Sequence, residues 1–72
     1  ALPFAFSDRR LKTNIQKVGK LDNGLTVYAY TYKTGGPAML GLMADEVEKV
    51  NPNAVGSVGG YKTVNYMEAV NG

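Results

Sequence analysis

The sequence predicts a small α+β domain: a small antiparallel sheet of short strands and hairpins, with two short helices at its edges. Three observations carry this expectation. The segment "LTVYAYTYK", residues 25–33, is rich in β-branched and aromatic residues and largely apolar on both alternating faces, as a strand covered on both sides would be. Asn23-Gly24 and Gly59-Gly60 sit between apolar runs as hairpin turns do. "ADEVEKV" and "NYMEAV" carry the charge order and capping of short helices.

Taken in order, Pro3 and the apolar leader "ALPFAF" read as an extended lead-in. "LKTNIQKV", residues 11–18, alternates partly and reads as a strand or an irregular arm. Asn23-Gly24 predicts a type I′ turn, because both residues tolerate φ > 0. The strand after it sets Tyr28, Tyr30 and Tyr32 on one face and Leu25, Val27 and Ala29 on the other. "TGGP", residues 34–37, is a loop, and "AMLGLM" is a short buried strand or approach segment. Residues 44–50 form a two-turn helix, with Asp45 and Glu46 at its positive end and Lys49 at the other. Met43, Val47 and Val50 share its inner face, and Asn51-Pro52 ends it. "AVGSVGGYKTV" is a second hairpin turning at Gly59-Gly60. The last helix takes Asn65 as its N-cap, with Glu68 at N3.

Composition narrows the chemistry. Seventy-two residues allow one domain with a thin core, which usually needs a staple. The chain has no cysteine and no histidine, which excludes disulfides, thiolate sites and the common zinc sites. Its six carboxylates are scattered, so neither a metal nor a cofactor is expected. Oligomerisation, or attachment to a larger protein, is the staple that is left. Net charge is +2, and only Arg9, Arg10 and Lys12 cluster, too little for a nucleic-acid footprint. No apolar run approaches the roughly 20 residues of a membrane span. "ALPFAF" lacks the charged start of a signal peptide, and the abrupt apolar beginning reads as a piece cut from a longer polypeptide.

Without histidine, acid–base work falls to lysine, carboxylate or tyrosine. "SDRRLKTNI", residues 7–15, offers Ser7 as a nucleophile and Lys12 as its base. Five positions set two side chains about 140° apart on a helix and on opposite faces of a strand. The pair meets only if "DRRL" folds back as a turn, or if the two come from different chains. Arg9 and Arg10 would push Lys12 towards the neutral form, and Asp8 would oppose them. On local grounds alone the stretch reads as a solvated turn. The three tyrosines of the strand read as core or subunit-interface packing rather than a carbohydrate platform. Asp45, Glu46 and Glu48 read as solvated helix charges rather than a glycosidase pair.

Four blocks change the weight of that turn: "SDRRLKTNI", "YAYTYK", "GLMADEVEKVNPNAV" and "GYKTVNYMEAV". Together they resemble the peptidase S74 family, the C-terminal intramolecular chaperone domains of phage tailspikes, tail fibres and endosialidases. The resemblance spans nearly all of residues 7–70, in order. It implies a homotrimeric domain, residues 7–72, that promotes trimerisation and folding of the upstream fibre, whose end or leader is residues 1–6. The domain then releases itself by one autoproteolytic event. The family's nucleophile falls on Ser7 and its base on Lys12, with Asp8 and Arg10 as orienting or ion-pairing residues. The implied partners are the other subunits and the upstream fibre of the same polypeptide, with no nucleic acid and no membrane. The resemblance also implies assembly in the host cytoplasm, with the fibre ending on the virion tail without the released chaperone.

Ring size argues for the bond that breaks. Ser7 Oγ attacking the Phe6 carbonyl closes a five-membered ring, whereas attack on its own carbonyl needs a strained four-membered one. The Phe6–Ser7 bond is therefore favoured, and attack between subunits would allow Ser7–Asp8 instead. Arg10 or backbone N–H groups are the expected oxyanion donors. The rival readings are a non-cleaving trimerisation module of the same fold and a receptor-binding fibre tip.

Overall fold

A computed structural model describes residues 4–71. The elements run β1 (Phe4–Phe6), a 3₁₀ turn (Arg9–Leu11), β2 (Lys12–Lys20), β3 (Thr26–Tyr32), β4 (Met39–Gly41) and α1 (Ala44–Val50). A second 3₁₀ turn (Pro52–Ala54), β5 (Val55–Val58), β6 (Tyr61–Asn65) and α2 (Tyr66–Asn71) follow. Of the leader, residues 1–3 lie outside the described part, and residues 4–6 are the strand β1.

The chain is α+β, as the sequence predicts, but the expected single sheet is two antiparallel three-stranded sheets. One has the order β1-β6-β5 and the other β2-β3-β4. The split follows from α1, which interrupts the strand-forming sequence between β4 and β5 and packs against β5 and β6.

The β2–β3 hairpin departs from the predicted turn. Positive φ occurs at Gly24 (91°) and not at Asn23, and the Gly24 N–H donates to the Leu21 carbonyl at 2.9 Å. This is the pattern of an ordinary β-turn followed by a glycine bulge. Asn23 is used differently: its Oδ1 accepts from the Leu25 N–H, and its Nδ2 donates to the Ala69 carbonyl at 2.8 Å, tying the turn to α2. Two bulges interrupt β2, one between Thr13 and Gln16, where Asn14 takes φ 53°, and one between Lys17 and Gly19. The second hairpin is as predicted, with positive φ at both Gly59 and Gly60.

Helix α1 spans the predicted residues. Met43 and Val47 are buried, but Val50 is 66% exposed, because the helix ends there and the chain turns through Asn51-Pro52. Asn65 caps α2, its Oδ1 accepting from the Glu68 N–H at 3.1 Å. The core has two parts. Leu25, Leu42, Val47, Ala54, Val64 and Ala69 pack where the helices meet the sheets. Tyr28, Tyr30 and Met43 form a second cluster against Ile15 and Tyr32.

Candidate active site

The motif "SDRRLK" does fold back, as a single 3₁₀ turn. Asp8 caps it, with Oδ1 accepting from the Arg10 N–H at 3.0 Å, and the Leu11 N–H returns to the Asp8 carbonyl at 3.0 Å. The Asp8 carboxylate, nearly buried, also takes Arg10 Nε at 3.0 Å and Nη2 at 2.8 Å, and the Lys62 N–H at 3.0 Å. These donors, the Arg10 side chain first, hold Asp8 far below the usual carboxylate range. Arg10 continues to the Gly60 carbonyl at 2.9 Å and lies over the Tyr61 ring, so the ion pair clamps the turn to the β5–β6 hairpin. Asp8 and Arg10 thus form an ion pair, and Arg10 is committed to this clamp.

Ser7 is fully buried at the junction of β1 and the turn. Its N–H donates to the Lys62 carbonyl at 3.1 Å, and its carbonyl accepts from the Ala44 N–H at 2.9 Å. Its Oγ lies 2.8 Å from the Tyr66 hydroxyl. That phenol oxygen also accepts from the Leu42 N–H at 3.1 Å. The Leu42 carbonyl in turn accepts from Lys12 Nζ at 2.8 Å. Leu42 therefore joins the serine side of the pocket to the lysine side. Among the described residues, Ser7 Oγ and Lys12 Nζ are not hydrogen-bonded to each other.

Lys12 opens β2 opposite Tyr32 and is 3% exposed, with Nζ 4.0 Å from the centre of the Tyr30 ring. The Asn14 bulge lets Lys12 and Ile15, three positions apart, both turn inward. Burial lowers the Lys12 pKa from 10.5 to about 8, and Arg9 adds to this while Asp45 and Asp8 oppose it. Arg9 is itself drawn to Asp45 and Glu46 at 3.2 and 3.3 Å, so those helix charges are paired rather than free.

The tyrosine row is not a platform. Tyr28 and Tyr30 are 5% and 3% exposed, and Tyr28 donates to Glu46. Tyr30 packs edge-on against Tyr32, with ring centres 5.4 Å apart. Burial pushes the Tyr30 hydroxyl pKa well up, and its bond to Tyr32 adds to this. Tyr32 reaches past the cluster and donates to the Phe6 carbonyl at 2.7 Å. Gly41 is needed beneath these phenols, since a Cβ there would lie 2.5 Å from the Tyr66 hydroxyl and 2.9 Å from that of Tyr30.

Sequence reasoning singled out Ser7, Lys12, Asp8, Arg10 and Phe6; the structure joins Asp8 to Arg10 directly and Ser7 to Lys12 only by way of Tyr66 and Leu42. It missed Tyr66, which is 59 positions from Ser7 and carries no local signal. Among the described residues there is no cluster able to hold a metal ion. Residues 7–56 match the family model Peptidase_S74, chaperone of endosialidase. No curated protein and no solved structure matches the chain.

Proposed function

Because the chain belongs to the Peptidase_S74 family, chaperones of endosialidase, we propose that it is an intramolecular chaperone that cuts itself from the fibre it helps to fold. The fibre is a phage or prophage tail fibre or tailspike, residues 1–6 are its end, and residues 7–72 are the chaperone. Folding and trimerisation take place in the host cytoplasm, and the cut leaves the fibre on the virion tail. The observation that carries the reading is the buried serine and the buried, pKa-lowered lysine gathered on Leu42, at the family motif. Exposed Leu40 and Val70, beside one apolar hollow, are surface that a subunit interface would cover.

The proposed reaction requires Ser7 and Lys12 to leave their separate partners, the Tyr66 hydroxyl and the Leu42 carbonyl, and meet. Neutral Lys12 takes the proton of Ser7 Oγ, and Oγ attacks the Phe6 carbonyl carbon through a five-membered ring. The oxyanion collapses, the Phe6–Ser7 C–N bond breaks, and the Ser7 nitrogen takes the proton from Lys12. Water then hydrolyses the ester, leaving a Phe6 carboxylate and restoring the Ser7 hydroxyl. The substrate is the chain itself, so the event occurs once.

Mass spectrometry of the fibre protein carrying this segment tests the claim. The wild type should yield fragments ending at Phe6 and beginning at Ser7, and Ser7→Ala and Lys12→Ala should stay whole. A wild type that stays whole once assembled would refute it. The separate hydrogen-bond partners of Ser7 and Lys12 favour a second reading, a non-cleaving trimerisation module, which that outcome together with a trimer in sedimentation would support. A domain that sediments as a monomer at high concentration would refute the trimer.

A further inference from the structure

Resting on the self-cleavage reading, we infer that Tyr32 is a catalytic residue whose hydroxyl stabilises the oxyanion formed on the Phe6 carbonyl. The hydroxyl already donates to that oxygen at 2.7 Å, within the range required of an oxyanion donor. Attack by Ser7 Oγ turns the carbonyl carbon tetrahedral but moves its oxygen little, so the contact persists as charge develops.

Alternative donors are occupied. Arg10 is held by Asp8 and the Gly60 carbonyl. The Lys62 N–H is spent on Asp8, and the Ala44 N–H on the Ser7 carbonyl. Lys12 Nζ is held by the Leu42 carbonyl.

Tyr32 is also held in place for this task. Its ring is fixed edge-on against buried Tyr30, and its strand position lies opposite Lys12, so one register sets base and donor together. Apolar side chains of Leu11 and Val58 line the groove around Tyr32 and Phe6. No proton is transferred by Tyr32. It donates a hydrogen bond to the carbonyl, more strongly to the oxyanion, and again to the ester carbonyl during hydrolysis.

The test uses the fibre protein carrying this segment, with cleavage followed in time by mass spectrometry. Tyr32→Phe should slow cleavage about 10²- to 10³-fold at the same bond, with the size of the assembly unchanged. Replacing Tyr32 by 3-fluorotyrosine keeps the shape but makes the phenol more acidic and the donor stronger. While it stays protonated, cleavage should be faster than wild type, a response that a packing role would not give. The fluorinated chain also decides the matter if Tyr32→Phe fails to assemble. Cleavage that needs Ser7 and Lys12 but is unchanged by both Tyr32 substitutions overturns the inference and leaves the self-cleavage reading intact. A wild type that is not cut, or is cut without Ser7, overturns that reading and the inference with it.

Discussion

The rate of self-cleavage should follow the titration of Lys12. Burial and Arg9 bring its pKa from 10.5 to about 8. At pH 7 roughly one Lys12 in ten is then neutral, against about one in 3,000 for an ordinary lysine, a gain near 300-fold in competent base. The observed rate should rise about tenfold per pH unit up to 7, bend near pH 8 and level off above it. Stability should move the same way. The folded pKa of a cationic group is depressed, so between about pH 8 and 10.5 the unfolded chain binds more protons than the folded one. Stability therefore rises across that window, by about 3 kcal/mol at most, as the cost of burying the ammonium is relieved. The assay is single-turnover cleavage in freshly assembled fibre protein from pH 6 to 9, with Lys12→Arg as control. The guanidinium stays protonated at these values, so that variant should remain whole. A pH-independent rate, or the same pH ramp in Lys12→Arg, would refute Lys12 as the base.

Two further substitutions probe the scaffold around the dyad. Gly41→Ala should displace the Tyr66 and Tyr30 hydroxyls, cost about 1–3 kcal/mol in denaturation, and slow cleavage by leaving Ser7 without its partner; wild-type stability and rate together would count against that placement of Tyr66. Asp8→Asn should cost about 1–3 kcal/mol at neutral pH, because it removes the Arg10 ion pair and leaves the Lys62 N–H with a weaker acceptor. The depressed Asp8 pKa makes its stabilisation complete above the ordinary 3.8 and progressively lost as pH falls from there towards the lowered folded value. Acid titration of stability should therefore lose that slope in Asp8→Asn, and an unchanged slope would contradict the ion pair.

What could be read from the sequence was local. The turn at Gly59-Gly60, the helix at 44–50 and the Asn65 cap each depend on residues within a few positions of one another. Register was not local. A two-residue turn at Asn23-Gly24 would pair Asp22 with Leu25 and so set Lys12 opposite Gly35. The three-residue turn and the two bulges of β2 each shift the pairing by one, and Lys12 lies opposite Tyr32 instead. Neither bulge is announced by its residues, and a one-residue slip changes the face of every side chain. That is why the tyrosine row reads from sequence as packing, while in the fold Tyr32 lies on the Phe6 carbonyl. Tyr66 was invisible for a related reason: β6 carries it to Ser7 across 59 positions, through contacts that no spacing encodes.

The position of the proposed cut matters as much as its chemistry. Strand β1 is at the edge of its sheet, and its three residues pair with β6 as Phe4 with Asn65, Ala5 with Val64 and Phe6 with Thr63. Ser7, one residue later, is fixed to Lys62, Ala44 and Tyr66. Cutting between Phe6 and Ser7 would leave every anchor of Ser7 on the chaperone side and, among the described residues, a three-residue edge strand on the other. While the bond is intact, the tether keeps β1 at an effective concentration on the order of millimolar beside β6. Once it is cut, that advantage is gone, and so short a strand is marginal by its own pairing. The Tyr32 hydroxyl can still meet the new Phe6 carboxylate, but one exposed hydrogen bond adds only about 1.5–3 kcal/mol even to a charged acceptor. Hydrolysis of one bond at this seam would therefore free β1 while leaving the contacts of Ser7 on the chaperone in place.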